Sequence, residues 1–568
     1  MKKGIISEAT SRNWKRLRSK KRGRLMARAN KRLSTKMIVP LEYFSNKDNV
    51  VDIQRFVSFC KENDYNVEEV IYTVGLKLLN EAGIIEKHHV QRVLSEYSFQ
   101  ITPLILNYPL PTDERDLLGL LYQCFLLEGE KNRKGSYYTP YAVAKNMVHG
   151  LDFSKNQTFF DPCCGSGAFL LALEGASPNQ IFACDNDPIA VMIAKINMLL
   201  KYKTKIIEPQ IDCCDYLNYY FNTSFDKKSF NYIISNPPWG AAIIDKNGNQ
   251  VTTRESFSYF FEKAFSHLSK DGLIRFLLPE SVLNVKTHKN FRKFLLDNTD
   301  IQTITLYDSS FSGVQTRYID IETRRKMRAL SQQNEIRITS WDKACLIRNE
   351  RKIKKACFYL TNNLNFSFLS DSNLEKVQKI LSKGKYNLKD SVWGLGIVTG
   401  DNKKHLKTKQ GKGLEPIYTG KEIESYTLQA QKYFIKYKRT EYQQVANDEI
   451  YRADEKLVYK FISKNLVFAY DDSKSLVLNS ANILIPRIPG MSVKTVLAFL
   501  NSSTFKFLYK SLFGEIKILK GNLMELPFPE ISEETDKKLN NLVDEVLKGN
   551  KEAIQLIDNE IDTIFNVQ

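Results

Sequence analysis

From about residue 37 to residue 130 the apolar positions recur every three to four residues. DIQRFVSFCKENDYNVEEVIYTVGLKLLNEAGIIEKHHVQRVLSEY is typical, and this period predicts a helical region. From 131 to 330 the period changes, and short β-branched or aromatic runs alternate with helical patterns. QTFFDPCCGSGAFLLALEGA reads as strand, glycine turn and helix, and QIFACDNDPIAVMIAKINMLLKY repeats the sequence of elements. FNYIISNPPWG reads as another strand, SYFFEKAFSHLSKDG as a helix ended by Gly272, and LIRFLLPESVL as a further strand. This alternation predicts an α/β fold, a doubly wound Rossmann-like parallel sheet that binds ligands at the C-terminal ends of its strands. Residues 331–364 read as a transition. From 365 to 568 the βαβ rhythm is gone, and LGIVTGDNKKHL, EPIYTGKEI and KNLVFAYDDSKSLVLNSANILIP predict a mixed α+β domain. TDKKLNNLVDEVLKGNKEAIQLIDNEIDTIF returns to helix at the end.

A chain of 568 residues, 43% hydrophobic and 26% charged, is long enough for several domains with large cores. No apolar run approaches the roughly 18 residues of a membrane span, so no membrane partner is expected. The formal charge of +19 is concentrated in residues 1–36, which carry 14 Lys/Arg against the single acid Glu8. SRNWKRLRSKKRGRLMARANKRL has no apolar core, which excludes a secretory signal. It leaves open an organellar transit peptide, a solvated tail, or a flexible arm that gains affinity for nucleic acid by counterion release. The nine cysteines include the adjacent pairs Cys163-Cys164 and Cys213-Cys214 and no C-x-x-C, which fits reduced thiols in a cytoplasmic protein and no metal site.

Candidate chemistry gathers at the predicted strand ends. Asp161 closes one strand, and Gly165-Ser166-Gly167 then turns into a helix. Glycines there admit close approach of a ligand to the backbone, and the helix N-terminus offers free N–H groups. Phosphate is the usual guest of such a loop, whereas an Asp at the strand end suits a cationic group such as an ammonium. Asp185 ends the next strand, at about the spacing where an acid holds a ribose. Asp215 follows the strand after that. Each acid alone fits a solvated loop equally well; three at successive strand ends point to a nucleoside.

Asp161-Pro-Cys-Cys-Gly-Ser-Gly-Ala-Phe169 resembles the first S-adenosylmethionine motif of amino-methyltransferases. GSYYTPYAVAKNMV (Gly135–Val148) resembles the methionine-contacting motif that precedes it. With Asn236-Pro237-Pro238-Trp239 following, the order is that of gamma-class N6-adenine DNA methyltransferases, over about residues 130–320. The resemblance implies S-adenosylmethionine as methyl donor and no metal. It implies contacts of Tyr138 and Thr139 with the methionine end, and a loop of Asp161, Gly165 and Gly167 around it. It further implies Asp185 on the ribose, Asp215 on the adenine amine of the donor and Tyr216 near its ring. Cys163 and Cys164 read as small packing residues in that loop.

An adenine N6 amine is a poor nucleophile because its lone pair is delocalised into the ring. Accepting both of its N–H groups draws that pair out, and the Asn236 side-chain oxygen with the Pro237 carbonyl can supply both acceptors. Pro237 and Pro238 stiffen the backbone that aims them. Trp239 offers a flat face for a base flipped from duplex DNA, worth roughly 1–3 kcal/mol. An ordinary turn is the competing reading of the motif. Asn at 236 follows the family's habit for adenine over cytosine. LYDSSFSGVQT resembles a later motif lining the target-base pocket, with Phe311 and Gln315 as its candidates.

SVWGLGIVTGDNKKHL and the late LMELPFP resemble the target-recognition domain of the same family, implying double-stranded DNA as partner. Thr399, Asp401, Asn402, Lys403 and Lys404 could reach base edges or phosphates, or form a solvated turn. The implied function is site-specific adenine methylation, on the bacterial nucleoid, as the modification part of a restriction–modification system, with a separate endonuclease left open. An RNA or protein-glutamine methyltransferase, or a catalytically silent DNA-binding scaffold, remain as alternatives. If the basic arm serves DNA binding, deleting residues 1–36 is expected to weaken DNA affinity and flatten its salt dependence in an anisotropy titration, with sequence preference intact. A lost preference would show that the arm reads bases.

Overall fold

A computed structural model describes residues 41–126, 138–217, 228–239, 251, 255–308, 317–326, 334–342, 347–514 and 517–567. The basic arm of residues 1–36, together with Phe311 and Gln315, lies outside the described residues. The chain divides into two compact units, with the division after Lys355.

In the first unit, helices α1 (Val50–Glu62), α2 (Val67–Glu81), α3 (His88–Leu94) and α4 (Leu117–Phe125) come first. Polar caps start two of them. Asn66 accepts from the N–H groups of Glu68 and Glu69 at α2, and Asp116 accepts from that of Gly119 at α4. After α5 (Tyr141–Val148) the βα alternation begins with β1 (Phe159–Asp161), α6 (Ala168–Ala172), β2 (Ile181–Asp185), α7 (Pro188–Lys201), β3 (Gln210–Cys213) and β4 (Phe230–Ser235). It continues with α8 (Ser256–Ser266), β5 (Leu268–Pro279), α9 (Lys289–Asn298), β6 (Thr299–Tyr307), β7 (Tyr318–Arg325), β8 (Glu335–Trp341) and β9 (Ile347–Lys354).

These strands form one sheet of order β3-β2-β1-β4-β5-β7-β6-β8-β9. The first five run parallel, and β7 enters antiparallel between β5 and β6. The α/β reading therefore holds, with an antiparallel element added where β7 enters. The stretch 331–364, read from sequence as a transition, contributes β8 and β9 to this sheet. The helix predicted to end at Gly272 instead ends at Ser266, and Gly272 lies within β5. Ser269-Lys270-Asp271-Gly272 has turn composition, but pairing with β4 captures it as an irregularity, the register slipping between Leu268 and Leu273.

The α7 sequence PIAVMIAKINMLLK is apolar almost all round, and residues on every side of it are buried. One side faces the sheet and the other takes α2 and α4. Gly75 of α2 approaches so closely that a methyl there would lie 2.7 Å from Ile196 Cδ1. The described part of the N-terminal helical region thus shares one core with the sheet, a cluster that includes Val70, Val74, Leu118, Leu121, Ile193 and Ile196.

On the same sheet Arg275 of β5 is 7% exposed and pairs in bidentate fashion with the fully buried Asp320 of β7, at 2.7 and 3.1 Å. Its remaining nitrogen donates to the carbonyls of Asn146 and Met147 at the end of α5. Tyr307 also donates to Asp320, and Asn146 donates to Tyr307.

The second unit opens with α10 (Asp371–Ser382) and contains two four-stranded sheets. One joins β10 (Val392–Leu395), β14 (Lys456–Lys460), β15 (Phe468–Asp471) and β17 (Ala481–Ile485). The other joins β11 (Leu406–Lys407), β12 (Glu415–Tyr418), β13 (Tyr433–Ile435) and β16 (Leu476–Val477). Helices α11 (Val493–Asn501), α12 (Ser503–Phe513), α13 (Glu533–Leu547) and α14 (Glu552–Phe565) follow. The mixed α+β texture expected after 365 is present, closing on helices. No helix among the described residues is long and apolar enough to cross a membrane.

Replacing Arg275 by Leu leaves the buried Asp320 carboxylate without its cation, with the Tyr307 hydroxyl still donating, and takes from the Met147 carbonyl its guanidinium donor. The expected cost is about 3–5 kcal/mol, read as a lower denaturant midpoint of the first unit; Arg275→Lys recovers part of it by restoring charge without the fork.

Candidate active site

Parallel pairing brings three predicted residues to one edge. Asp161 ends β1 between β2 and β4, fully buried. Its Oδ1 accepts from Ser235 Oγ at 2.7 Å and from the Cys163 N–H at 3.1 Å. Its Oδ2 is buried without a hydrogen-bond partner. Burial pushes the carboxyl from 3.8 up to about 7, against the pull of those two donors.

The loop that follows turns on two left-handed glycines, Gly165 at φ +53° and Gly167 at φ +89°. A methyl on Gly165 would stand 3.0 Å from the Tyr138 ring. The Gly165 N–H donates to Asp185 Oδ2 at 2.8 Å, so the end of β2 holds the loop. Asp185 also accepts from the Asp187 N–H, and burial raises its carboxyl. Cys164 is 5% exposed, and burial holds its thiol, like that of Cys163, well above the usual range, so both remain neutral packing groups.

Tyr138 and Thr139 lie just before α5. Thr139 is 7% exposed, and the Tyr138 hydroxyl is buried without a partner. Asp215 lies beyond β3, exposed, its Oδ1 accepting from the Leu217 N–H; the backbone there is held by Cys214 N–H donating to Asp185 O at 2.7 Å. Tyr216 follows directly on Asp215. It is 2% exposed, packed against Phe160 and Phe260, with the Lys263 ammonium over its ring. Its aromatic surface is used in the core, for the ordinary reason that a large ring beside a sheet is buried.

Asn236 begins immediately after Ser235, the residue bonded to Asp161. Asn236, Pro238 and Trp239 are half-buried and Pro237 is buried. The turn is anchored twice: Trp239 Nε1 donates to Leu277 O of β5 at 3.2 Å, and Ser256 Oγ, at the start of α8, donates to Pro238 O. Trp239 also meets Tyr318, ring centroids 6.4 Å apart.

Two carboxylates escaped the sequence reading. Asp187 caps α7, accepting from Ile189 and Ala190, and takes the Tyr122 hydroxyl at 2.8 Å. Asp-Pro before an apolar run is a legible cap signal. Asp116 caps α4 and touches Ser166 of the glycine loop, a contact that no local pattern announces. Next to it Tyr43, Arg115, Asp116, Tyr138, Thr139 and Ala168 line part of a cavity of about 30 Å³.

The donor set fits the implied S-adenosylmethionine. Phosphate would call for cations beside the loop, whereas Asp161, Asp185 and Asp215 suit an ammonium, hydroxyls and an amine. The unpartnered Asp161 Oδ2 is an acceptor that a cation would satisfy. Among the described residues no group of three or more His, Cys, Asp or Glu is placed to hold a metal ion.

Residues 113–318 match the family model N-6 DNA Methylase, and residues 415–528 match the TaqI-like C-terminal specificity domain. The chain is 28% identical over 319 residues to the Type II methyltransferase M.VspI of Vibrio sp. (strain 343), spanning 54% of this chain and 74% of that protein. It is 29% identical over 202 residues to the Type I restriction enzyme MjaIX methylase subunit of Methanocaldococcus jannaschii, spanning 32% and 35%. In fold it resembles the Type IIL restriction-modification enzyme MmeI solved in complex with DNA, with TM-score 0.58 and 13% identity over 93% of this chain and 92% of that one.

The raised Asp161 carboxyl has a stability signature in the ligand-free protein. The unfolded chain releases this proton near 3.8 and the folded chain only near 7, so stability falls as pH rises between the two. Relative to Asp161→Asn, the wild type is expected to lose up to about 4 kcal/mol from pH ~4 to pH ~8, measured by urea unfolding across that range. A gap independent of pH would refute the assignment.

Proposed function

We propose that this chain, a member of the restriction–modification DNA methyltransferases, methylates the N6 amine of an adenine flipped out of duplex DNA at a specific sequence. The observation that carries the proposal is the anchored Asn236-Pro237-Pro238-Trp239 turn, which starts one residue after the hydroxyl that holds buried Asp161. The chemistry supplied by bound S-adenosylmethionine is a methyl group activated by its sulfonium.

In this reading the residues divide the work. Asp161 receives the ammonium of the donor on its unpartnered oxygen, while Gly165 and Gly167 let backbone close around the methionine end beside Tyr138 and Thr139. Asp185 takes the ribose and Asp215 the amine of the donor's adenine. Tyr216 supports this wall from the core and does not offer it an open face.

At the target base, Asn236 Oδ1 and the Pro237 carbonyl accept the two N6 hydrogens. Those acceptors localise the lone pair on nitrogen and stabilise the positive charge that develops there. Their aim depends on the turn staying rigid, which the bonds from Ser256 to Pro238 and from Trp239 to Leu277 provide. With its indole N–H tied down, Trp239 keeps one orientation for stacking on the flipped base.

The second unit supplies sequence preference. Its turn at 399–404 bears on which side chains do so. Thr399 is buried and donates to Asn402 Oδ1, and Asp401 accepts from the Lys404 N–H, so those two maintain the turn. Lys403 and Lys404 are exposed and suit phosphates. A cognate endonuclease on a separate chain is the partner that a modification role calls for.

Plasmid DNA from a methylation-deficient host expressing the chain is expected to carry N6-methyladenine at one recurring sequence. Nucleoside mass spectrometry with methylation-aware sequencing reads both, and Asn236→Ala is expected to abolish the signal while keeping donor affinity. Soluble protein that binds S-adenosylmethionine but leaves DNA unmodified would overturn the DNA reading and make RNA the next substrate.

A further inference from the structure

The N-terminal helices reach the glycine loop through one carboxylate. Asp116 Oδ1 accepts from the Gly119 N–H at 2.9 Å and from Asn197 Nδ2 of α7 at 2.8 Å. Its Oδ2 accepts from Ser166 Oγ at 2.5 Å, and Asn197 Nδ2 also donates to the Ser166 carbonyl at 2.9 Å. Ser166 lies between the two left-handed glycines and is 1% exposed, so its side chain points away from the ligand face and into this network. Gly119 completes the contact. A methyl there would overlap both Asp116 Oδ2 and Ser166 Oγ, so α4 crosses the loop at a distance only glycine permits.

We propose that Asp116 is a positioning residue for S-adenosylmethionine binding, acting through Ser166 and Asn197 to hold the glycine loop in its ligand-ready turn. The inference rests on the function proposed above. Gly165 and Gly167 reach positive φ without strain, but glycines lose the most conformational freedom on being ordered, so the loop needs partners that hold it in one turn. Asp185 holds the front of the loop through Gly165, and backbone bonds from Cys164 to Cys184 and from Gly167 to Cys164 hold its turn. At the back, the side-chain contacts of Ser166 are those with Asp116, with Asn197 on its carbonyl. Loosening the back leaves the same ligand-contacting groups in place but spreads them over more conformations, which lowers affinity without removing any contact. By linkage, ligand binding in turn stabilises α4.

The network's chemistry distinguishes positioning from bulk. In Asp116→Asn the amide oxygen can serve Gly119 and Asn197 while the amide nitrogen donates to Ser166, whose hydroxyl turns to accept. Asp116→Leu has the volume without the bonds. Glu114→Gln is a control for the same segment, since Glu114 accepts from Ser45, Asn46 and Asn49 rather than from the loop.

Isothermal titration of the full chain with S-adenosylmethionine tests this. Asp116→Leu and Ser166→Ala are expected to bind on the order of tenfold more weakly, the worth of a hydrogen bond to a charged group. Asp116→Asn is expected to recover most of the affinity, and Glu114→Gln to melt lower with affinity unchanged. Steady-state kinetics are expected to show a raised KM for the donor at nearly constant kcat. The donor is expected to slow amide exchange over 117–125 in the wild type and to do so less in Ser166→Ala, which keeps the Asp116 cap if the Leu variant fails to fold. Unchanged affinity in Ser166→Ala and in folded Asp116→Leu would overturn the inference. A wild-type chain that does not bind the donor would overturn the proposed function itself.

Discussion

A carboxylate held in a dry interior needs donors that stay put, and Asp161 imposes that requirement on the middle of the catalytic sheet. It lies at the end of the central parallel strand, fully buried, with one oxygen served by Ser235 and the Cys163 N–H. Those donors come from the two segments the site is made of: the strand leading into Asn236 and the loop leading into Gly165. Locating Asp161 therefore locates both. Its second oxygen is buried with no hydrogen-bond partner, beside the glycine loop.

Rigidity around that residue comes from the helices packed on the sheet and from an ion pair within the sheet. On one side α7, buried nearly all round, transmits the packing of α2 and α4 to the strands. On the sheet itself Arg275 and Asp320 join β5 to β7 and hold the end of α5, the helix that starts just after Tyr138 and Thr139. The N-6 DNA Methylase match begins at residue 113, within the N-terminal helical region, and the packing gives that start a physical sense. Asp116 and α4 are in contact with the glycine loop.

The placement of the candidate residues was legible because it rests on local grammar. Asp161 and Asp185 end strands, Asn236 follows one, and Gly165 and Gly167 lie in the turn after β1, all marked by turn residues in the sequence. The misreadings came from long-range choices. Ser269-Lys270-Asp271-Gly272 has the composition of a helix stop, yet pairing with β4 absorbs it into β5 as an irregularity. β9 is the edge strand of the sheet, and its sequence IRNERKIK is too charged to show a clear apolar alternation; β8 does alternate at Ile336 and Ile338, but it lies beyond the βα rhythm that marked the rest of the sheet.

The sequence by itself determined the alternation of elements, the residues at the strand ends and the stiff turn at Asn236-Pro237-Pro238-Trp239, because these depend on backbone preferences and side-chain donors within a few positions. Only the tertiary structure decided which groups brace them. Asp116 meets Ser166, Arg275 meets Asp320 and Trp239 meets Leu277 across separations at which sequence carries no periodic signal. Such partners are chosen by which buried polar groups remain unsatisfied once the core has closed, and that is a property of the packed chain as a whole.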